Sequence, residues 1–438
     1  AGEAQLNRIT LLKKAHNNMK QLEQRLISLE GKGLGAVPAG CRQADVAGLG
    51  WNLLNEDVSL PVAVLSQSRL RHNLQWMQTF IARYGVQLAP HGKTTMSPSL
   101  FQLQLDHGAW GITLATAPQV QAAWRNGIKR VLMANQLVGQ GNMAIIADIE
   151  DADFSFCCIV DSADNVDALG RYFASRGKAI RVLLEYGVSG GRTGIRDQEQ
   201  EAAILEAVKR WPQAVKLIGV EVYEGVLKQD ADVRRFLRHV LDRTRVLVSQ
   251  SSFAEPEVIL SGAGSAWYDV VAEEFSHQDV GQALQVILRP GCYLTHDVGI
   301  YRDADKRIHA SNAIAREMGQ SLLPALQLWA YVQSRPEPNL AIIALGKRDA
   351  AFDAGYPVPA LHYRPGVSVN PQVIADDSAI TSMMDQHAFM QVPPDSDIKV
   401  GDMIAFDVSH PCLTFDKWRQ LLLVDDRYEI VEAVETLF

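Results

Sequence analysis

Between residues 86 and 288 the hydrophobic and polar positions follow a repeating order. Apolar runs fall at residues 86–89, 111–115, 131–134, 156–160, 181–185, 216–222, 257–260 and 286–288. Most are separated by segments of helical period, such as residues 118–125 and 198–210. Continuous apolar runs, unlike alternating ones, mark strands buried on both faces, the pattern of a parallel sheet covered by helices. Eight such units match a closed (β/α)8 barrel, with a doubly wound open sheet as the competing arrangement. A Rossmann arrangement is disfavoured, because no G-x-G-x-x-G follows the first strand.

The flanks read differently. Residues 60–65 predict a strand, and 68–84 a helix with Leu70, Leu74, Met77, Phe80 and Ile81 on its apolar face. Near the start, Leu6, Ile9, Leu12, Met19, Leu22, Leu26 and Leu29 predict an amphipathic helix stopped by Gly31, packed on the main body or a sister subunit. Beyond about residue 305, alternation near 326–332, 403–408 and 419–424, punctuated by Pro336, Pro338, Pro357, Pro359, Pro365, Pro393 and Pro394, predicts an antiparallel β domain. Three parts are expected: a helical extension at 1–59, a barrel at 60–304 and a β domain at 305–438.

Composition narrows the function classes. At 438 residues the chain is too long for one ordinary domain, and its 47% hydrophobic and 21% charged residues suit a globular core. The net charge of −8, without a basic block, argues against nucleic acid or an anionic membrane surface as partner. No apolar run approaches the ~20 residues of a membrane span. No basic-then-apolar leader is visible at the start. Five scattered cysteines (Cys41, Cys157, Cys158, Cys292, Cys412) form no disulfide framework, so a reducing, cytoplasmic setting is expected.

Candidate chemistry gathers at the ends of the predicted strands. Lys93 follows the first barrel strand, at the edge where α/β enzymes place catalytic groups. A lone lysine is ordinarily solvated surface. Held among apolar neighbours at that edge, it becomes a candidate Schiff-base nucleophile. After the fifth strand, residues 186–194 form a glycine-rich loop carrying Arg192, a candidate partner for an anion or a ring nitrogen. Ser261-Gly262-Ala263-Gly264-Ser265 follows the seventh strand, where barrels often bind phosphate, although any tight turn could use such residues. In the β domain, His410-Pro411-Cys412 predicts an extended segment with both ligand-type residues on one face, suited to zinc. A buried cysteine beside an incidental histidine is the plainer alternative. His387 is either a third group of that site or a turn residue.

Taken together these motifs resemble the fold-type III pyridoxal-phosphate enzymes related to alanine racemase, and within them the D-serine dehydratase and D-threonine aldolase group. Pro90-His91-Gly92-Lys93-Thr94 is similar to the lysine motif of that group, and Arg192-Thr193-Gly194 to its arginine loop. Tyr223-Glu224-Gly225 resembles its tyrosine turn, and residues 261–265 its phosphate loop. Arg289-Pro290-Gly291-Cys292-Tyr293, with Asp297, resembles the signature that closes the barrel, and His410-Pro411-Cys412 the zinc motif. Two positions depart from the pattern: Ala89 stands where arginine is usual, and Ala263 where glycine is usual. The long amino-terminal extension is also unusual.

The resemblance implies pyridoxal 5'-phosphate joined to Lys93, which then takes the α-proton of a D-amino acid. It implies His91, Arg192, Tyr223, Ser261, Gly262, Gly264 and Ser265 around the cofactor, with Zn2+ on His410 and Cys412 binding the β-hydroxyl. The expected reaction converts D-serine, or a related D-3-hydroxy amino acid, to a 2-keto acid and ammonia. Retro-aldol cleavage, racemisation or a non-catalytic cofactor carrier are the alternatives. The related aldolases carry a carboxylate as the second metal residue, so Cys412 favours elimination. A homodimer is expected.

Overall fold

The computed structural model describes residues 24–27 and 30–438, so the helix expected at 6–29 lies almost wholly outside the described residues. Among the described residues one strand, β1 (Val62–Ser66), precedes the barrel. The barrel strands are β2 (Gln87–Leu88), β3 (Ile112–Leu114), β4 (Arg130–Gln136), β5 (Ser155–Val160), β6 (Ile180–Tyr186), β7 (Val215–Val222), β8 (Glu257–Gly262) and β9 (Ala283–Leu288). They pair in the order β2-β9-β8-β7-β6-β5-β4-β3, every pair parallel. All eight lie on the apolar runs.

The ring closes beyond the end of β2. The Trp110 N–H donates to the Leu88 carbonyl at 2.7 Å, and the Thr113 N–H to the Pro90 carbonyl at 2.9 Å. The Thr113 hydroxyl adds a bond to the Ala89 carbonyl at 2.7 Å. Inside the ring, Ala89, Leu132, Cys157, Leu183, Ile218, Ile259 and Ile287 form one cluster. Their strand neighbours Leu114, Met133, Cys158, Leu184 and Leu260 face the helices. Successive strand residues point to opposite faces, so a strand with two apolar faces reads as one continuous run.

The predicted strand at 60–65 forms as β1 but lies outside the barrel. It pairs antiparallel with β10 (Leu326–Glu337) and parallel with β17 (Gln420–Val424), so the barrel does not begin at residue 60. Its alternation serves two cores: Ala63 and Leu65 join the barrel-side cluster, Val62 and Val64 the cluster on the sheet's other face. The helix Gln67–Tyr84 follows at once, its N-terminus capped by the Ser66 hydroxyl and its end marked by Gly85 at φ +65°. The described residues therefore begin in the β domain, build the barrel and return.

Among the described residues the β domain is a ten-stranded sheet. Its remaining strands are β11 (Leu340–Ile343), β12 (Val358–Tyr363), β13 (Gln372–Val373), β14 (Ala379–Met383), β15 (Ala388–Gln391), β16 (Met403–Asp407) and β18 (Ile430–Glu435). The main order is β13-β12-β16-β10-β1-β17-β18, with β11, β15 and β14 continuing from β10. Two helices, Ile300–Ser311 and Ala313–Met318, occupy the stretch where that domain was expected to begin. The described part of the extension is not α-helical. Two short 3-10 helices, Gln43–Leu49 and Leu53–Asn55, place Val46, Trp51 and Leu53 against Val62, Trp329 and Met403 on the sheet. Among the described residues no helix is long and apolar enough to cross a membrane.

Gly219 lies where the β6–β7 register shifts, and a Cβ there would stand 2.0 Å from the Ile259 carbonyl oxygen. Gly219→Ala must therefore push β7 from β8, at an expected cost of about 2–3 kcal/mol. Guanidinium denaturation measures it, and an unchanged midpoint would show that the strands can separate freely.

Candidate active site

The turns after β2, β6, β7, β8 and β9 supply most of the anticipated residues. Lys93 sits in the 3-10 turn Gly92–Thr94, directly after the segment that closes the barrel. Its side chain is exposed, not packed among apolar neighbours as expected. Gly92 makes the turn possible, since a Cβ there would lie 2.6 Å from the Phe101 ring. The turn after β9 packs on the same loop: a Cβ on Gly291 would lie 2.6 Å from the His91 carbonyl oxygen. His91 is held well below the ordinary imidazole value by burial and then by the cations of Lys93, Arg289 and Arg192. Its ring is neutral at pH 7, and its buried Nδ1 has no hydrogen-bond partner.

Arg192 and Tyr223 form a pair, the guanidinium carbon 4.3 Å from the ring centroid. Tyr223 in turn rests on two glycines. A Cβ on Gly225 would meet its hydroxyl at 2.5 Å, and one on Gly264 its ring at 3.0 Å. The loop after β8 is held from beneath. Glu224, fully buried, accepts the N–H groups of Ala263 at 3.1 Å and Gly264 at 2.9 Å. Burial pushes its carboxyl up, against the bonds from this loop. Ala263 has φ +75°, the left-handed region that glycine occupies without strain.

Ser261, expected among the phosphate ligands, is fully buried under the turn and engaged elsewhere. Its hydroxyl donates to the Ile287 carbonyl at 3.0 Å and accepts from Arg289 at 2.7 Å. Gly262 is likewise buried, as the last residue of β8. Of the four expected phosphate residues, Gly264 and Ser265 are the accessible ones. The Ser265 hydroxyl takes the N–H groups of Gly291 and Cys292, both at 3.2 Å. Arg289 donates to the Val222 carbonyl at 3.0 Å and pairs with buried Glu221. Burial pushes the Glu221 carboxyl up to about 8, while Arg289 opposes the shift.

The His410–Cys412 segment is not extended. Pro411 has φ −63° and ψ −44°, and the chain turns into the short helix Cys412–Phe415. Proline suits a first helical turn because its missing N–H would be unsatisfied there. The two side chains nevertheless meet. Cys412 is pulled down to about 4, by Cys292 first and then, against burial, by His410 and Thr94. His410 is raised to about 9, chiefly by Cys412 and further by Asp353, whose carboxylate lies 2.7 Å from its Nδ1. Cys412 Sγ reaches Thr94 Oγ1 at 3.3 Å, which joins this helix to the lysine turn. His387 is exposed in the β14–β15 turn, its carbonyl accepting the Met384 N–H, as a turn residue would.

An exposed amine, a glycine-lined seat closed to larger side chains, a stacked guanidinium and an unused buried imidazole nitrogen fit a phosphorylated pyridine aldehyde. A thiolate and an imidazole oriented by a carboxylate fit zinc. Among the described residues no three His, Cys, Asp or Glu side chains gather around one metal position, so open positions would go to water or substrate. Sequence reading missed the parts played by Glu224, Arg289, Cys292 and Asp353. The first three lie within quoted motifs, where a charged or thiol side chain beside an expected residue was the available signal. Asp353 gave none, since 57 residues separate it from His410.

Comparison with known proteins agrees with this architecture. Residues 65–294, more than half of the chain, match the family described as "Alanine racemase, N-terminal domain". Residues 325–424 match the family described as "Putative serine dehydratase domain". The chain belongs to the alanine racemase N-terminal domain family. It is 24% identical over 377 residues to a D-threonine aldolase of an Arthrobacter species, covering 84% of this chain and 90% of the relative. Among solved structures, D-threonine aldolase from Filomicrobium marinum superposes with a TM-score of 0.71 at 20% identity, over 88% of this chain and 97% of that one. D-threo-3-hydroxyaspartate dehydratase from Delftia sp. HT23 gives 0.69 at 19% identity, over 88% and 99%. The fold is the two-domain fold of the fold-type III class.

Replacing Glu224 tests the support beneath the loop. Glu224→Ala leaves two buried N–H groups unpaired and is expected to cost about 2–4 kcal/mol. Glu224→Gln keeps an acceptor and should cost less. Equal denaturation midpoints for both variants would show that the two hydrogen bonds do not hold the loop.

Proposed function

We propose that this protein is a pyridoxal-phosphate- and zinc-dependent lyase acting on D-serine or a related D-3-hydroxy amino acid, yielding a 2-keto acid and ammonia. One contact carries the reading: Thr94 Oγ1 and Cys412 Sγ, 3.3 Å apart, put the lysine turn of the barrel beside the His-Cys pair of the β domain. An amine and a soft-metal pair on adjoining segments suit a substrate handled at the α-carbon and the β-oxygen together. The relatives' names point the same way, since an aldolase of D-threonine and a dehydratase of D-threo-3-hydroxyaspartate both take D-3-hydroxy amino acids. Pyridoxal phosphate, when bound, would supply an electron sink for the pair released at the α-carbon. Zinc on His410 and Cys412 would supply a Lewis acid for the departing hydroxyl.

The remaining work belongs to the chain. Lys93 removes the α-proton and keeps it within the pocket for the leaving group. Gly264 and Ser265 would hold the phosphate, with Ser261, Gly262 and Glu224 shaping their loop from beneath. Arg192, held over the Tyr223 ring, would be a partner for the pyridine ring, and neutral His91 would offer it an uncharged ring nitrogen. Asp353 holds the His410 ring at Nδ1, which leaves its other nitrogen to serve as a metal ligand. The enamine product then hydrolyses in water. Large apolar side chains left exposed beside site segments (Ile300, Phe352, Tyr356, Leu413) support a second subunit over the mouth, as in a homodimer.

Retro-aldol cleavage is the second reading, favoured by the extent of the match to the Arthrobacter aldolase. Product analysis with D-serine and D-threonine separates the two. Keto acid and ammonia that disappear on chelation and return with zinc support the dehydratase. Glycine and an aldehyde from D-threonine would move the protein to the aldolases. Cys412→Ala is expected to keep the cofactor's visible absorbance while lowering kcat on the order of a thousandfold or more. Lys93→Ala should lose both activity and that absorbance. Full turnover by Cys412→Ala would remove the metal from the mechanism.

A further inference from the structure

Cys292 and Cys412 face each other across the junction of the two domains, their sulfurs 3.7 Å apart. They are 120 residues apart in sequence, one in the turn after β9 and the other opening the short helix of the β domain. No other two cysteines stand in such a relation. Cys41 lies in the outer cluster of the β domain, and Cys157 and Cys158 point to opposite faces of β5. The pair is unequally accessible: Cys412 is partly exposed at the mouth, whereas Cys292 is buried behind it. The backbone around Cys292 is pinned by the Ser265 hydroxyl, and Cys412 rests on Thr94. A disulfide needs a further approach of about 1.7 Å from this separation.

We propose that Cys412 and Cys292 form a reversible modification site, in which peroxide converts the two thiols to a disulfide across the domain junction. The sulfur of Cys412, the more accessible of the two residues, attacks one peroxide oxygen, giving a sulfenic acid and one water. The Cys292 sulfur then displaces the sulfenic oxygen, giving the disulfide and a second water. Two thiol hydrogens and two electrons leave the protein, and one hydrogen peroxide becomes two waters. The cross-link joins the lysine side of the pocket to the metal side. It also removes the Cys412 sulfur from any metal, a consequence that rests on the proposed role of His410 and Cys412, whereas the cross-link itself does not. A dithiol reductant restores both thiols.

The test is peptide mass mapping of the holoenzyme without reduction, after stoichiometric hydrogen peroxide, with zinc release followed by a chromogenic chelator. The expected result is one peptide pair joined through Cys292 and Cys412, two hydrogens lighter than the separate peptides and resolved by dithiothreitol. About one equivalent of zinc should leave as it forms and rebind after reduction. In Cys292→Ser the pair cannot form, and a second equivalent of peroxide should carry Cys412 on to the sulfinic acid, which dithiothreitol does not reverse. Separate oxidation of the two cysteines in the unaltered protein would overturn the proposal. Loss of zinc from Cys292→Ser without oxidant would also overturn it, making Cys292 a metal ligand instead. A cross-link without zinc release would leave the modification site standing and remove the metal from Cys412.

Discussion

The seam that closes the barrel decides where everything at its mouth can stand. β2 is only two residues long, and the ring is completed by the backbone of residues 88–91 bonding to residues 110–113. Residues used to close a ring cannot drift, so the turn that follows is fixed as it leaves the seam. Lys93 is the second residue of that turn. The absence of a side chain at Gly92 and at Gly291 lets Phe101 and the His91 backbone pack against the turn from two sides. A flexible lysine thus stands on a rigid base, which is what positioning a reacting amine requires.

A second constraint is electrostatic. Glu221, Glu224 and Arg289 are all nearly inaccessible to water, and each is paired. Arg289 ties β7 to β8 through Val222 and Ser261, and Glu224 ties the turn after β7 to the loop after β8. Breaking any one leaves a buried charge or donor unpaired, so the strand ends move as a unit. The positive charge of Arg192, Arg289 and Lys93 around His91 favours an anionic ligand there and keeps the imidazole neutral. The charges that look like candidates for chemistry in the sequence are thus partly scaffold.

Much was legible before any coordinates, because the pattern and the physics coincide. Strands buried on both faces leave continuous apolar runs, and all eight appeared at the right places. Errors arose where a local signal had two structural solutions. The run at 62–66 is an apolar strand in either sheet, and nothing local says that β10 and β17 flank it. Pro411 permits an extended segment or a first helical turn, and the contacts of Cys412 with Thr94 and Cys292 select the turn. Ser261 looked like a phosphate ligand because small residues after the seventh strand suit that role. Its burial under the loop comes from Arg289, 28 residues further on.

The sequence by itself determined the barrel and the β domain and singled out the residues proposed to hold a pyridine cofactor and a metal, since these follow from periodicity and short motifs. Only the tertiary structure decided which of those residues meet. The lysine turn, the Cys292 turn and the His410–Cys412 helix are far apart along the chain. Their convergence depends on β1, which precedes the barrel in sequence yet lies between two strands, β10 and β17, that follow it. The pairing of Asp353 with His410 and of Cys292 with Cys412 are products of that return, and no local pattern encodes a contact made by folding distant segments together.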